Sequence, residues 1–491
     1  VRREMLTVSV VLVCLAASLL LMQFLGMQRR RRQLPPGPAP LPLFGNLLQM
    51  KFQIHHDILK KFIFTLWLTS IPVVVLQGYQ AVKEGMTAHA EEVAGRPLSR
   101  AFRFLTNGNG VMFSNGHLWK QQRRFGLLTM RKLGVGKQSQ ECQIQEEAPE
   151  LVLMVKLLAV FTGKPVDPTV PVTHAVSNVI CALILGHRFS IEDKKFLRLV
   201  EAVDDISAFT NSISFYVRIM IFYIIVYTDN VKASGCICTM RALLQEEIES
   251  HKGKGKIGGN QDFIDYYLDQ MAKSKEDAGA TYDKVNLTQT VFDLFLAGTE
   301  TTATTLRWAL LYMVAYPDVQ EKVHKELDAV VGSSRLICYT DRKNLPYTNA
   351  VIHEIQRYSN IVLIALPRYT VKDTELLGFP IPKDTIVLVN IDSVLSDPEK
   401  WETPDQFNPG HFLDKDGNFI HREAFLPFSI GKWHRACMGE LLARLELFII
   451  FCTLMQAFTF TLPDGAKEIN TKFVFSTTMK PPPHQLCAIP R

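Results

Sequence analysis

The chain has 491 residues, 47% of them hydrophobic, which is enough for a large core. Its net charge is +6, from 54 Lys+Arg against 48 Asp+Glu. No dense basic patch with interleaved aromatics is present, which argues against nucleic acid and leaves a solvated surface, or docking to an acidic partner or a membrane.

Nine cysteines stand at 14, 142, 181, 236, 238, 338, 437, 452 and 487. Such an odd, unpatterned set argues for reduced thiols and against a disulfide framework. Cys236 and Cys238 have no second ligand pair, so they read as structural. The chain begins with Val1 and not Met, as a fragment or an imperfect gene model would.

Met5 to Met27 is 23 residues without a charge, just enough to cross a hydrocarbon core of roughly 30 Å. A cleaved signal starts in the same way. This run is long for one, lacks a small-x-small site near its end and is closed by Arg29-Arg30-Arg31-Arg32. Four arginines after the span, against Arg2, Arg3 and Glu4 before it, predict a single-pass anchor with the downstream chain in the cytoplasm. Leu34-Pro35-Pro36-Gly37-Pro38, followed by Pro40 and Pro42, reads as a stiff linker that can hold a body at a fixed attitude to the bilayer. The organisation is then residues 1–28 anchor, 29–45 basic and proline-rich hinge, and 46–491 one large domain.

Ile71 to Leu76 reads as a strand, and Tyr79 to Met86 as the helix after it. Trp119 and Arg123, four apart on one helix face, suit a carboxylate, because indole N–H and guanidinium are both donors. A surface Trp beside a solvated Arg reads the same locally. Glu141 to Lys275 is mainly helical, with apolar runs at 176–185 and 212–227. The second run is unusually greasy for a cytosolic body and suits an apolar patch, or else belongs to the core.

Asn286 is placed to cap a helix running to about Ala315, before Pro317. Its centre, Ala297-Gly298-Thr299-Glu300-Thr301-Thr302, puts a helix breaker and hydroxyls where they are costly without a purpose. The small residue lets a ligand approach the backbone, and Glu300 beside Thr301 can relay protons. The alternative is a threonine-rich core helix. Glu354 and Arg357 share a face of a helix starting near Tyr347, a spacing that is usually a weak surface pair.

Phe428 to Glu440, FSIGKWHRACMGE, ends a loop at Cys437 just before an apolar helix. The positive helix end is expected to lower the cysteine pKa and favour thiolate, the metal-binding form. A lone axial Cys suits haem iron better than a four-ligand zinc site, and the bland alternative is an ordinary buried cysteine.

Phe428, Gly431, Arg435, Cys437 and Gly439 resemble the haem-ligand loop of the cytochrome P450 haem-thiolate monooxygenases. The family pattern has one residue between the Gly and the Arg, whereas Lys432-Trp433-His434 stand here, an insertion of two. The resemblance covers almost the whole chain and is similar to microsomal family-2 members. AGTETTATTLRWALLYM and YTNAVIHEIQRYSN point within these to the J subfamily of fatty-acid epoxygenases and hydroxylases.

The resemblance implies a mainly α fold with a small β-rich subdomain, preceded by one transmembrane helix, in the endoplasmic reticulum membrane with the catalytic domain on the cytoplasmic side. It implies haem b held by Cys437, with Trp119, Arg123 and Arg368 at the propionates and Ala297, Phe428, Gly431, Arg435 and Gly439 around it. Glu300 and Thr301 take the catalytic proton roles, and Glu354, Arg357 and His411 form a buried structural trio. By position, Phe292, Phe295, Ile361, Leu366 and Val474 face substrate. Residues 60–70 lack the family's Tyr-Gly turn before a first strand, so part of the small sheet is expected to be altered.

The implied reaction inserts one atom of O₂ into fatty acids such as arachidonic or linoleic acid, or into xenobiotics. Electrons come from NADPH through the membrane-bound NADPH–cytochrome P450 reductase, with cytochrome b5 as a further partner. Lys120, Arg124 and Lys432 supply charge on the docking face. Two rivals stand beside this reading. One is a haem-thiolate peroxide isomerase. The other is a defective or non-enzymatic membrane protein whose Trp433-His434 insertion displaces Cys437 or offers His434 as a rival ligand.

Overall fold

The structure, a computed structural model, describes residues 2–47, 49, 62–97, 106–162, 165–210, 228–253, 262–430, 434–465 and 469–491. The fold is mainly α with small β-sheets, as the resemblance implies.

Helix α1 (Arg2–Arg31) ends on Arg29, Arg30 and Arg31, cations set against its negative end. Within it, Thr7–Arg31 is long and apolar enough to cross a membrane, and its apolar stretch is exposed. The proline-rich stretch after it is docked and not free. The Thr65 hydroxyl donates to the Pro35 carbonyl at 2.8 Å, and a Cβ at Gly37 would lie inside the Thr65 carbonyl. Met27 and Leu34 are buried in one cluster with sheet residues, so the end of α1 is fixed to the body.

The sheet comprises β1 (Ile63–Leu68), β2 (Ile71–Leu76), β3 (Arg368–Tyr369) and β6 (Ile386–Val389), in the order β1-β2-β6-β3. The β1–β2 and β6–β3 pairs are antiparallel and β2–β6 is parallel. The expectation of an altered sheet is corrected here. Ile63-Phe-Thr-Leu-Trp-Leu68 is strand-prone, all but its last residue is buried, and Thr65 is clasped by the proline segment, so the first strand forms without a Tyr-Gly turn. A second ribbon pairs β4 (Thr374–Leu376) with β5 (Phe379–Ile381).

Helix α2 (Gly78–Thr87) leads towards α3 (Gly116–Lys132), α4 (Gln138–Thr162), α5 (Thr169–Leu185), α6 (Lys194–Thr210), α7 (Thr228–Gly253) and α8 (Phe263–Lys273). Next come α9 (Lys284–Ala315), α10 (Pro317–Val330), α11 (Pro346–Ser359), the short α12 (Asp392–Leu395) and α13 (Glu440–Ala457). The chain closes with β7 (Phe458–Thr461) antiparallel to β8 (Cys487–Pro490).

The axis of the body is α9, 32 residues and so about 48 Å long. Its N-cap is Asp283, whose side chain accepts from Asn286 N at 2.7 Å, and not Asn286 as the sequence suggested. Asp and Asn both cap well, and Lys284-Val285 already continue the helical run. Gly298 serves a different neighbour from the one expected. A Cβ there would meet Ile180 Cδ1 at 2.4 Å, so the glycine admits α5 and not a ligand. Leu183, Ile184, Leu306, Phe448 and Phe451 are among the side chains that fill the core around α9.

Candidate haem-thiolate site

The cysteine loop runs from Phe428 to the N-terminus of α13, and Cys437 N donates to Phe428 O at 3.2 Å to close it. Ser429 and Arg435 have φ of 67° and 69°, the left-handed region that costs a non-glycine residue energy. Arg435 is held there by what its guanidinium reaches. Nε donates to Ala94 O at 2.9 Å, Nη2 to Ser114 O at 2.6 Å, and the group lies 4.0 Å from the Trp119 ring centroid.

Backbone N–H groups of Gly439 and Glu440 reach the Cys437 thiol and lower its pKa, as expected for a helix N-terminus. The net shift is nonetheless upward, which corrects the expectation. Cys437 keeps accessible surface, yet protein crowds the sulfur closely enough that burial outweighs the two donors. A coordinated metal ion reverses that balance, because it deprotonates the thiol outright.

Beside the loop lie four arginines, Arg96, Arg123, Arg368 and Arg435, all less than a tenth exposed. Burial depresses all four. Neighbouring guanidiniums add to this for Arg96, Arg368 and Arg435, bringing Arg368 to about 10 and Arg435 to about 8. Like charges gathered out of water are costly unless an anion joins them. Arg123 Nη2 donates to Ala436 O at 2.7 Å, and Arg96 Nη1 to Leu366 O at 2.6 Å. Trp119 Nε1, Arg123 Nε and Arg368 Nε, however, are buried donors without a partner among the described residues. Orphaned donors on three cradle residues fit a group carrying carboxylates, as the haem propionates do. Arg96 is an addition. Gly95-Arg96-Pro97 carries no spacing signal, and only folding brings it to Arg368 and Arg435.

On the facing side, Ala297 is exposed at the centre of a helix whose flanks are buried, and Thr301 is one turn on. Thr301 Oγ1 donates to Ala297 O at 2.7 Å, which loosens the helical ladder at the small residue. Glu300 does not meet Thr301. Its Oε1 accepts from Ser207 Oγ at 2.9 Å and Thr478 Oγ1 at 2.8 Å, and lies 3.2 Å from Lys480 Nζ. Thr302 points the other way, donating to Glu446 of α13 at 3.1 Å.

The trio is joined. Arg357 donates to both oxygens of Glu354 at 2.7 Å, and His411 Nδ1 lies 3.2 Å from each, all within the body. The other Arg357 hydrogens reach the carbonyls of Leu395, Pro404 and Gln406.

Among the apolar candidates, Leu366 and Val474 are exposed and Ile361 is partly so. Phe292 and Phe295 are corrected. They are 2% and 0% exposed and stand more than 100° around α9 from Ala297, so they pack in the core and do not face a substrate. His434 Nε2 lies 3.6 Å from Glu91 Oε1, which is where its ring is directed. Lys120 and Arg124 are exposed on α3. Gly431, Lys432, Trp433 and the apolar run 212–227 lie outside the described residues.

Comparison with known proteins adds independent findings. The family model described as Cytochrome P450 matches residues 35–488. The chain is 39% identical over 472 residues to cytochrome P450 2J2 of Homo sapiens, covering 94% of this chain and 93% of that one. It is 41% identical over 471 residues to cytochrome P450 2J3 of Rattus norvegicus, with 94% and 92% covered. To cytochrome P450 2C8 of Homo sapiens it is 39% identical over 496 residues, with 98% and 99% covered.

Proposed function

The chain belongs to the cytochrome P450 family and is a haem-dependent monooxygenase of lipophilic substrates, and from that premise we propose that it epoxidises or hydroxylates fatty acids such as arachidonic or linoleic acid and also oxidises xenobiotics. The cofactor is haem b, and the electrons derive from NADPH through a reductase. When bound, haem supplies the reductive activation of O₂.

In this reading Cys437 would ligate the iron, and Phe428 and Gly439 of its loop would leave room for the haem, with Gly431 assigned to the same loop by its motif position alone. Trp119, Arg123 and Arg368 would hold the propionates with donors that have no partner among the described residues, and Arg96 and Arg435 would help neutralise the same charge. Ala297 carries no side chain beyond Cβ, so a flat group can approach α9 there. Thr301 holds a proton at Oγ1 and opens the ladder for water, and Glu300 carries protons inward from the surface side. Leu366, Ile361 and Val474 exclude water from the alkyl chain.

Lys120, Arg124 and Lys432 favour an acidic reductase surface, and cytochrome b5 competes for the same face. Residues 1–28 anchor the body in the endoplasmic reticulum membrane as a single pass, residues 29–45 form the hinge, and the catalytic body from 46 lies on the cytoplasmic side. Four arginines after the span support that orientation.

The observation that carries the reading is the set of three buried, unpartnered donors beside Cys437. Its test is the reduced, carbon monoxide-bound absorption spectrum of the purified protein, followed by NADPH-dependent turnover of arachidonic acid. A red-shifted thiolate-type Soret band with oxygenated product is expected. A histidine-type band, or no haem, would leave the defective-protein reading, and deleting Trp433 and His434 should then restore the band. Conversion of a lipid peroxide without NADPH would leave the isomerase.

A further inference from the structure

The acid of the proton relay is held by residues that the reaction does not itself require. Glu300 lies in α9, but the groups on its Oε1 come from two other parts of the chain. Ser207, from the last turn of α6, donates at 2.9 Å. Thr478 donates at 2.8 Å, and Lys480 Nζ stands 3.2 Å away. Lys480 also reaches Asp204 Oδ1 on α6 at 3.0 Å, so one ammonium bridges α6 and the relay acid.

The lysine is not a loose surface residue. Val474 and Lys480 exchange backbone hydrogen bonds of 2.8 and 3.0 Å, closing residues 474–480 into a tight loop. The loop is pinned to α9 by Trp308 Nε1, which donates to Met479 O at 2.7 Å, and to residue 361 by Met479 N. Ser476 and Thr477 add contacts to the Ser207 carbonyl. Side-chain exposure is 18% for Lys480 and 10% for Glu300, against 57% for Asp204. The Glu300 contact is thus the shielded one and the Asp204 contact the wet one, where a single pair is worth little. All three contacts fall on Oε1, so among the described residues that oxygen is the one held.

We propose that Lys480 is a positioning residue for the Glu300 carboxylate, and that with Asp204 and Ser207 it ties the acid to α6. This rests on the reading of Glu300 as proton carrier. With the tie intact, α6 and the 474–480 loop hold the acid in place together. Without it, the acid is present but misplaced, and NADPH, H⁺ and O₂ go to NADP⁺ and H₂O₂ in place of oxygenated product and water.

The test uses the full-length haem protein with reductase and arachidonic acid, once the wild type shows its thiolate-type band and turnover. A wild type that shows neither overturns the functional reading and this proposal together, before any variant is made. Lys480→Met keeps the stem and removes the charge. Product per NADPH should fall roughly tenfold with a matching rise in H₂O₂, and Lys480→Arg should restore it. Amide hydrogen exchange across residues 203–210 of α6 should quicken in Lys480→Met and not in Lys480→Arg, a readout independent of turnover. Unchanged exchange together with unchanged product per NADPH overturns the proposal. Faster exchange with unchanged product per NADPH also overturns it, because the tie is then structural only. Should Lys480→Met not fold, Ser207→Ala removes the α6 donor to the same oxygen and carries the same expectations.

Discussion

The cradle beside Cys437 makes a demand that one atom can test. Trp119→Phe removes the indole N–H and keeps an aromatic ring where the Arg435 guanidinium stacks, 4.0 Å from the centroid. Among the described residues that N–H is buried and has no partner, so its removal takes no hydrogen bond to them away. If it serves a haem carboxylate, the loss is a hydrogen bond to a charged group, about 1.5–3 kcal/mol. At 1.4 kcal/mol per tenfold, haem should leave about ten- to a hundredfold faster. Transfer of haem to excess apomyoglobin, followed by absorbance, measures the rate. Protein stripped of haem should melt at the wild-type temperature or above it, since the variant relieves a buried, unsatisfied donor. Trp119→Leu, which also removes the stacking face, should lose haem faster still and lower both melting temperatures. A Trp119→Phe variant that holds haem as tightly as wild type, or loses stability equally with and without haem, would refute the assignment of this donor.

Arg357→Leu should destabilise the fold by about 3–5 kcal/mol, because it strands Glu354 and three backbone carbonyls inside the body. Denaturant unfolding measures this, and the Glu354→Leu, Arg357→Leu double variant should be less damaged than the sum of the two singles. Gly298→Ala should cost about 1–3 kcal/mol from the clash with Ile180 Cδ1, and Ile180→Val should recover part of it, read as melting temperatures. Burial pushes the Glu446 carboxyl up to about 8, opposed only in part by Thr302. The folded chain then keeps a proton that the unfolded chain releases above the ordinary carboxylate range. Stability from this group is complete below that range and is lost as pH rises through about 8. Glu446→Gln removes that dependence, so its stability advantage over wild type should grow between about pH 5 and 8 by an amount on the order of 4 kcal/mol, and a flat difference would contradict it.

Much of the site was legible because its chemistry is written in local spacing. Trp119 and Arg123 share a face by helical period, as do Glu354 and Arg357, and Cys437 stands at a helix start. Arg96 was not legible, since nothing in its neighbourhood marks it and Leu366, whose carbonyl its guanidinium reaches, is 270 residues away. Phe292 and Phe295 were assigned to the substrate because aromatic residues near a site look alike in sequence. Which side of α9 meets a cleft is decided by what packs on the other sides. Gly298 shows the same limit, for a helix glycine says that something comes close without saying what.

By itself the sequence determined the apolar first helix and its flanking arginines, the long helix with its small residue and hydroxyls, and the lone cysteine. These follow from hydrophobic period, charge and residue chemistry, which act over a few turns of chain. Only the tertiary structure decided that four arginines share one dry corner, that burial outweighs the helix end at Cys437, and that Glu300 is gripped from α6 and Lys480. Those outcomes depend on low local dielectric and on contacts between distant segments, and neither exists until the core has closed.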